Sequence, residues 1–325
     1  MQGGKTLLRF ERTISQQGTA MRIVEAVVNI SEGRDLQSLQ KLGEVINDVP
    51  QAYLLGCDED YDHNRAVFTF AGSPSAVLEA VWVLFQKTIQ LIDMRSHQGV
   101  HPCLGAVDVI PFVPSQEVSM ADCQALASRL GDRIGRECSV PVFLYEAAAT
   151  HRSRRSLAAL RKGGPEGLER RMSNDPLWKP DFGPSVSHPT AGVVAIGARD
   201  VLIAFNVFLN SPDLEAACGI ARRIRESSGG LIGVKALGFY LAQRNRVQVS
   251  INLADYKRTS MRDVFEAVQL EARRVGLEAV SSEIIGLAPV EALDGAVSDE
   301  IGLEGFGPER ILEDRIAQVI PDANP

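Results

Sequence analysis

Val201-Leu202-Ile203-Ala204-Phe205-Asn206-Val207-Phe208-Leu209 decides the fold, because this apolar run reads as a buried strand and opens a patterned series. Asp213 to Glu226 follows with helical spacing. Val234 to Ala242 and Val247 to Leu253 read as two strands, Met261 to Val275 as a helix and Glu283 to Leu287 as a last strand. The order strand, helix, strand, strand, helix, strand builds an antiparallel sheet with both helices on one face, the ferredoxin-like split βαβ motif.

The first half predicts the same order: strand Ile23 to Ile30, helix Leu36 to Ile46, strands Tyr53 to Cys57 and Ala66 to Ala71, helix Ser75 to Leu91, and strand Ala106 to Phe112. A helix at Ala121 to Glu137 and a strand at Val142 to Tyr145 are added to it. The expected class is therefore α+β, with two α/β subdomains built on ferredoxin-like βαββαβ sheets and a ligand cleft between them. Between His151 and Pro189 the pattern dissolves into Arg, Gly, Pro and Ser, which marks a junction that is either an ordered, ligand-facing segment or disordered. The expected divisions are an extension at 1–20, because Met21 directly precedes the first strand, subdomains at 21–185 and 186–295, and a tail at 296–325.

The 325 residues are 45% hydrophobic and 23% charged, the balance of a folded globular chain. A net charge of -7 argues against sequence-independent nucleic-acid binding. The first twenty residues carry charges within their only apolar stretch, so no secretory h-region is read there. Five scattered cysteines with no CxxC pair fit reduced thiols in a cytoplasmic protein and give no thiolate zinc set.

Chemistry concentrates in His97-Gln98-Gly99-Val100-His101-Pro102-Cys103-Leu104-Gly105-Ala106, just ahead of the strand Val107-Asp108-Val109-Ile110-Pro111-Phe112. An imidazole titrates near neutrality and can both take and return a proton, so His101 is the candidate acid or base; it reads equally as a loop histidine bonded to backbone. His97 lies four residues earlier, but Gly99 and Pro102 break the helix that a metal pair would need, and no metal is expected. Asp108 reads as an orienter of a histidine or as a structural acceptor.

Asp58 to Arg65 reads as a turn between two strands, either a solvated acidic hairpin or a substrate contact through His63, Asn64 and Arg65. Arg65, entering an apolar strand, calls for a carboxylate from protein or ligand. Ser31 is read as a helix cap and Gly33 as a positive-φ turn. The basic run Arg152, Arg154, Arg155, Arg161 and Lys162 is read as a solvated helix face, with a polyanion landing strip as the rival. Ile196-Gly197-Ala198-Arg199 and Ser227-Ser228-Gly229-Gly230 match no phosphate-loop pattern and are read as turns.

Taken together, Val28 to Arg34, Asp62 to Arg65, His97 to Pro111, Asp181 to Ser185, Ile196 to Arg199, Phe205-Asn206 and Gln248 to Ser250 resemble the glutamate formimidoyltransferase family, the formiminotransferase part of formiminotransferase-cyclodeaminase. The resemblance runs from about Met21 to Leu293. It implies transfer of a formimidoyl group between N-formimidoyl-L-glutamate and tetrahydrofolate in histidine degradation and one-carbon metabolism, by a cytoplasmic homodimer that binds neither nucleic acid nor membrane. Tetrahydrofolate serves as co-substrate, without a metal. The catalytic histidine aligns with His101. The folate-contacting segment aligns with Gly183, Pro184, Ser185, Val186, Ser187, His188, Pro189, Thr190, Ala191 and Gly192, and His63, Asn64, Arg65 and His97 complete the expected substrate contacts. After His101-Pro102 the family usually carries arginine, and here Cys103 stands in its place. A non-catalytic folate-binding relative, or a transferase using another amino-acid acceptor or a formyl donor, is the alternative.

Overall fold

The structure is a computed structural model and describes residues 21–293 and 300–320. Its first lobe contains β1 (Val24–Ile30), α1 (Leu36–Asn47), β2 (Ala52–Asp60), β3 (Arg65–Gly72), α2 (Pro74–Leu91), β4 (Val107–Pro114), α3 (Met120–Glu137), β5 (Val142–Glu146), α4 (Leu157–Arg161), α5 (Gly164–Asn174) and β6 (Val194–Ala198). The second contains β7 (Ile203–Leu209), α6 (Leu214–Ile224), β8 (Val234–Leu241), β9 (Arg246–Leu253), α7 (Met261–Arg274) and β10 (Ala279–Ile285). A last helix, α8 (Leu312–Val319), returns to the first lobe.

The expected α+β class with two sheet-based units is present. The six-stranded sheet runs β2-β3-β1-β4-β6-β5 and the four-stranded one β10-β7-β9-β8. Within the first, β2, β3, β1 and β4 pair antiparallel in the ferredoxin-like order, while β4, β6 and β5 pair parallel. Alternation sets the faces: Val24, Ala26, Val28 and Ile30 of β1 turn with Phe68, Phe70 and Phe112 toward α1, α2 and α3, each fully buried. At about 2–3 kcal/mol for each phenylalanine removed from water, this layer dominates the stability of the lobe. Ser119 with Asp122 and Ser260 with Asp263 form reciprocal capping boxes that start α3 and α7.

The stretch read as a turn at Ile196 to Arg199 is largely strand. β6 lies between β4 and β5 and is buried on both faces, so it lacks the alternation that reveals a half-exposed strand. Its Gly197 lies against the ring of Tyr145, which a Cβ there would meet at 2.5 Å. Gly197→Ala is therefore expected to destabilise the protein by about 1–3 kcal/mol through overpacking, read as a lower urea midpoint; an unchanged midpoint would contradict the close packing. With β6 in the first sheet, that lobe extends past the boundary expected at 185/186.

The junction is ordered as well. Leu160 of α4 and Leu168 and Met172 of α5 pack on Val109, Phe143, Tyr145 and Ala195, covering one end of the sheet face that α1 to α3 leave free. Within the segment expected as a tail, Leu312, Ile316 and Ile320 pack on Ile23, Leu55 and Ala71 at the other end. The expected extension at 1–20 lies outside the described residues. Between these two covers the second lobe meets the first, Lys235 donating to Glu146 at 3.0 Å and Gln243 N–H to the Asp62 carboxylate at 3.3 Å, while the Arg310 guanidinium, just before α8, donates to Asp58 at 2.6 Å.

Candidate active site

The site forms where β1 ends, β3 begins and the histidine loop enters β4. Gly99 fits the loop against the β2–β3 turn, since a Cβ on it would meet His63 O at 2.2 Å. Gly33 has the same steric role: its Cβ would meet Asp60 O at 2.3 Å, and positive φ is not what it supplies. The expected cap at Ser31 is replaced by Asp35, whose carboxylate accepts from Gln37 N and Ser38 N, because the Ser31 hydroxyl donates instead to Gly105 O at 2.7 Å. Asn64 adopts φ of 48° and joins three segments: its side-chain oxygen accepts from Gly33 N, and its amide donates to Gln98 O at 3.0 Å and contacts His97 Nδ1 at 3.3 Å.

These bonds bring His63, Asn64, Arg65, His97 and His101 to one narrow crevice, with Ser31, Cys103 and Asp108 on its walls. The acidic turn is not a solvated hairpin. His63 and Asn64 are buried, His63 Nδ1 lies 3.0 Å from Asp60, and its Nε2 lies 3.2 Å from the Gln248 amide of the second lobe. Phe239 of that lobe stands edge-on to His63, with ring centroids 5.1 Å apart, and 6.5 Å from His101.

Arg65 Nη1 lies 2.9 Å from His101 Nε2. A guanidinium only donates, so that ring nitrogen accepts and the proton of the neutral imidazole sits on Nδ1. Burial, then the charges of Arg65 and Arg161, hold His101 well below the usual imidazole value. Arg65 itself is brought down to about 10, first by burial and then by Arg161, and no carboxylate among the described residues forms an ion pair with it. Burial also lowers His97, and it raises the Cys103 thiol, which is thereby kept protonated and a poor nucleophile at neutral pH.

Asp108 does not orient a histidine. Its Oδ1 accepts from Leu104 N at 2.7 Å and its Oδ2 from Arg161, so it fixes the loop entering β4 and holds a guanidinium. The basic run is likewise not one solvated face: Arg154 is buried against Asp181 and Arg161 reaches Asp108. Sequence reasoning did not place Arg161, Gln248 or Phe239 here; the unsettled role of the 151–189 segment pointed toward Arg161, the resemblance over Gln248 to Ser250 toward Gln248, and no signal toward Phe239.

The segment Gly183 to Gly192 borders the crevice without lining it. Gly192 bridges Gly105, Met94 N donates to Thr190 O at 2.8 Å, and His188 Nδ1 accepts from Ala191 N at 3.0 Å, forming a turn beside the histidine loop. Gly183, Pro184, Ser185 and Val186 are exposed, Ser187, His188 and Thr190 half-buried, and Pro189 exposed. Between the sheets, Thr69 Oγ1 of β3 and Gln248 Oε1 of β9 are buried without a hydrogen-bond partner among the described residues. Such atoms call for a polar ligand or water between the lobes.

Gly99→Ala is expected to push the histidine loop off the β2–β3 turn and separate His101 from Arg65. The expected outcome is at least a tenfold loss in kcat together with a lowered thermal midpoint, since misplacement by about 1 Å can cost roughly 10²-fold and the clash is with backbone; wild-type kcat would remove the packing argument.

Residues 23–199 match the sequence profile of the formiminotransferase domain, N-terminal subdomain, and residues 204–298 that of the formiminotransferase domain. A glutamate formimidoyltransferase of Thermoplasma acidophilum is 43% identical over 295 residues, covering 90% of this chain and 97% of the relative. One from Streptococcus pyogenes serotype M1 is 39% identical, covering 91% and 99%. The formimidoyltransferase-cyclodeaminase of Rattus norvegicus is 37% identical over 94% of this chain but only 61% of its own length.

Proposed function

As the chain belongs to the formiminotransferase family, we propose that it is a glutamate formimidoyltransferase, moving a formimidoyl group between N-formimidoyl-L-glutamate and tetrahydrofolate with His101 as the acid and base. The observation that carries the residue assignment is the half-buried His101, held well below the usual imidazole value, with its Nε2 at 2.9 Å from a guanidinium that has no carboxylate of its own among the described residues. In the idle site that contact occupies the lone pair a base needs. A substrate carboxylate draws Arg65 to itself by a charge-assisted fork, frees Nε2 and cancels the charge that depresses the imidazole.

The proton balance needs one such group. As a nitrogen of tetrahydrofolate bonds to the formimidoyl carbon, its proton passes to His101. When the bond from that carbon to the glutamate nitrogen breaks, the same proton goes to the departing amine. His97 and Asn64 hold the loop around this exchange, and His63 fixes the turn that carries Arg65. The turn at Gly183 to Gly192 offers exposed backbone for folate, while Thr69 and Gln248 offer the unpaired polar atoms that suit a ring edged with donors and acceptors. The reading takes the protein as a homodimer in the cytoplasm, without a metal, serving histidine degradation. Among the described residues no helix is long and apolar enough to cross a membrane.

The test is tetrahydrofolate-dependent consumption of N-formimidoyl-L-glutamate, followed by absorbance of the methenyl product after acid. Turnover in the wild type is expected. Folate binding without any product would overturn the reading in favour of a non-catalytic relative with Cys103 at a disabled position.

A further inference from the structure

Arg161 sits at the end of α4, in the long connection between β5 and β6 of the first lobe, and its guanidinium reaches the loop side of β4. One nitrogen donates to Asp108 Oδ2. Its Nε is buried and has no partner among the described residues. A guanidinium N–H withdrawn from water and left unmatched is costly, so its retention calls for an acceptor that arrives with a ligand. Nearby, Asp108 answers Arg161 and Asp60 lies against His63, so that among the described residues Arg65 forms its side-chain hydrogen bond with His101 and no ion pair. Arg65 thus lines the crevice, and Arg161 stands behind its wall on Asp108 with its Nε unmatched among the described residues.

We infer that these two guanidiniums divide the carboxylates of the amino-acid substrate, Arg65 taking the α-carboxylate and Arg161 the side-chain carboxylate, so that Arg161 determines the preference for a dicarboxylic amino acid. The inference rests on the formimidoyl-transfer reading for the identity of that substrate. The assignment follows from connectivity. The reacting nitrogen and the α-carboxylate share one carbon, so the guanidinium hydrogen-bonded to the base receives the α-carboxylate. The second carboxylate is two methylenes farther out and falls to the guanidinium beyond it. Asp108 holds that guanidinium in orientation beforehand and limits the ordering required on binding.

Arg161→Met is to be compared with wild type on N-formimidoyl-L-glutamate and on N-formimidoylglycine, which lacks the side-chain carboxylate. The expected result is a kcat/KM for the glutamate donor that falls roughly 30-fold or more relative to that for the glycine analogue, with the loss carried by KM for the glutamate donor. A merely structural role would lower both donors in equal proportion, and that result overturns the inference. Calorimetric binding of L-glutamate, which needs no turnover, should weaken in step in Arg161→Met; unchanged glutamate affinity likewise overturns it. Should the wild type turn over neither donor, the reaction reading fails while the binding comparison still decides Arg161. If Arg161→Met does not fold because Asp108 is left buried alone, the Asp108→Asn, Arg161→Met pair removes both charges and carries the same comparison.

Discussion

His101→Ala is expected to lower kcat by roughly 10² to 10⁴ while the affinity for folate stays close to wild type, because the change removes a proton carrier and leaves the segments around it in place. Single-turnover rates with premixed tetrahydrofolate measure the chemical step directly. A loss of less than tenfold would move the base elsewhere in the crevice. The pH profile carries the same argument further. A group held well below the usual imidazole value stays neutral, and so competent as a base, throughout the neutral range. The wild-type rate should therefore fall only on the acid side of that usual value. Replacing Arg65 by Met removes one of the cations that depress His101, so the acid limb should move upward even as KM for the amino-acid substrate rises.

The second large effect is on stability. Glu25 in β1 is 5% exposed and faces away from α1 to α3, and burial raises its carboxyl to about 7, with Arg199 pulling it back and Glu313 adding to the rise. A carboxyl raised in the folded state favours folding most when protonated. Its contribution is whole below the unfolded value of 4.5 and is lost as pH rises through about 7. By pH 8 the loss amounts to about 3 kcal/mol, at 1.36 kcal/mol for each tenfold change in proton affinity. Glu25→Gln should accordingly stabilise the protein by about that amount at pH 8 and hardly at all at pH 4. Urea midpoints at the two pH values decide it, and equal shifts at both would refute the linkage.

Patterning made most of both lobes legible, because most helices and half-buried strands advertise one face. Helix α1 and strand β3 are read from the residues to within one position at each end. It did not reveal β6, whose short, doubly buried run contains a glycine packed against the ring of Tyr145. The candidate site was legible where the chain itself assembles it: the histidine loop and the turn before Arg65 announce themselves by glycine, proline and imidazole. It was illegible where distant segments meet. Nothing near Arg161 marks a partner 53 residues away at Asp108, and although Gln248 and His63 both lie in segments of the family resemblance, nothing in their spacing of 185 residues marks them as partners. Asp108 stayed open between a histidine's orienter and a structural acceptor for the same reason: a carboxylate at the head of a strand declares an acceptor, but tertiary packing chooses the donors, here Leu104 N and Arg161.

The seating of α8 on Ile23, Leu55 and Ala71 has a consequence for synthesis. The first lobe's opening strands leave the ribosome long before the residues that cover this patch; at about 5–20 residues per second the interval from Ala71 to Leu312 lasts tens of seconds. Throughout that time three apolar side chains near the start of the chain stand bare on a sheet already able to pair. The nascent protein is therefore most sticky in midlife, and a chaperone that shields this one patch until the last helix arrives would improve the yield of native chains without touching the site of chemistry.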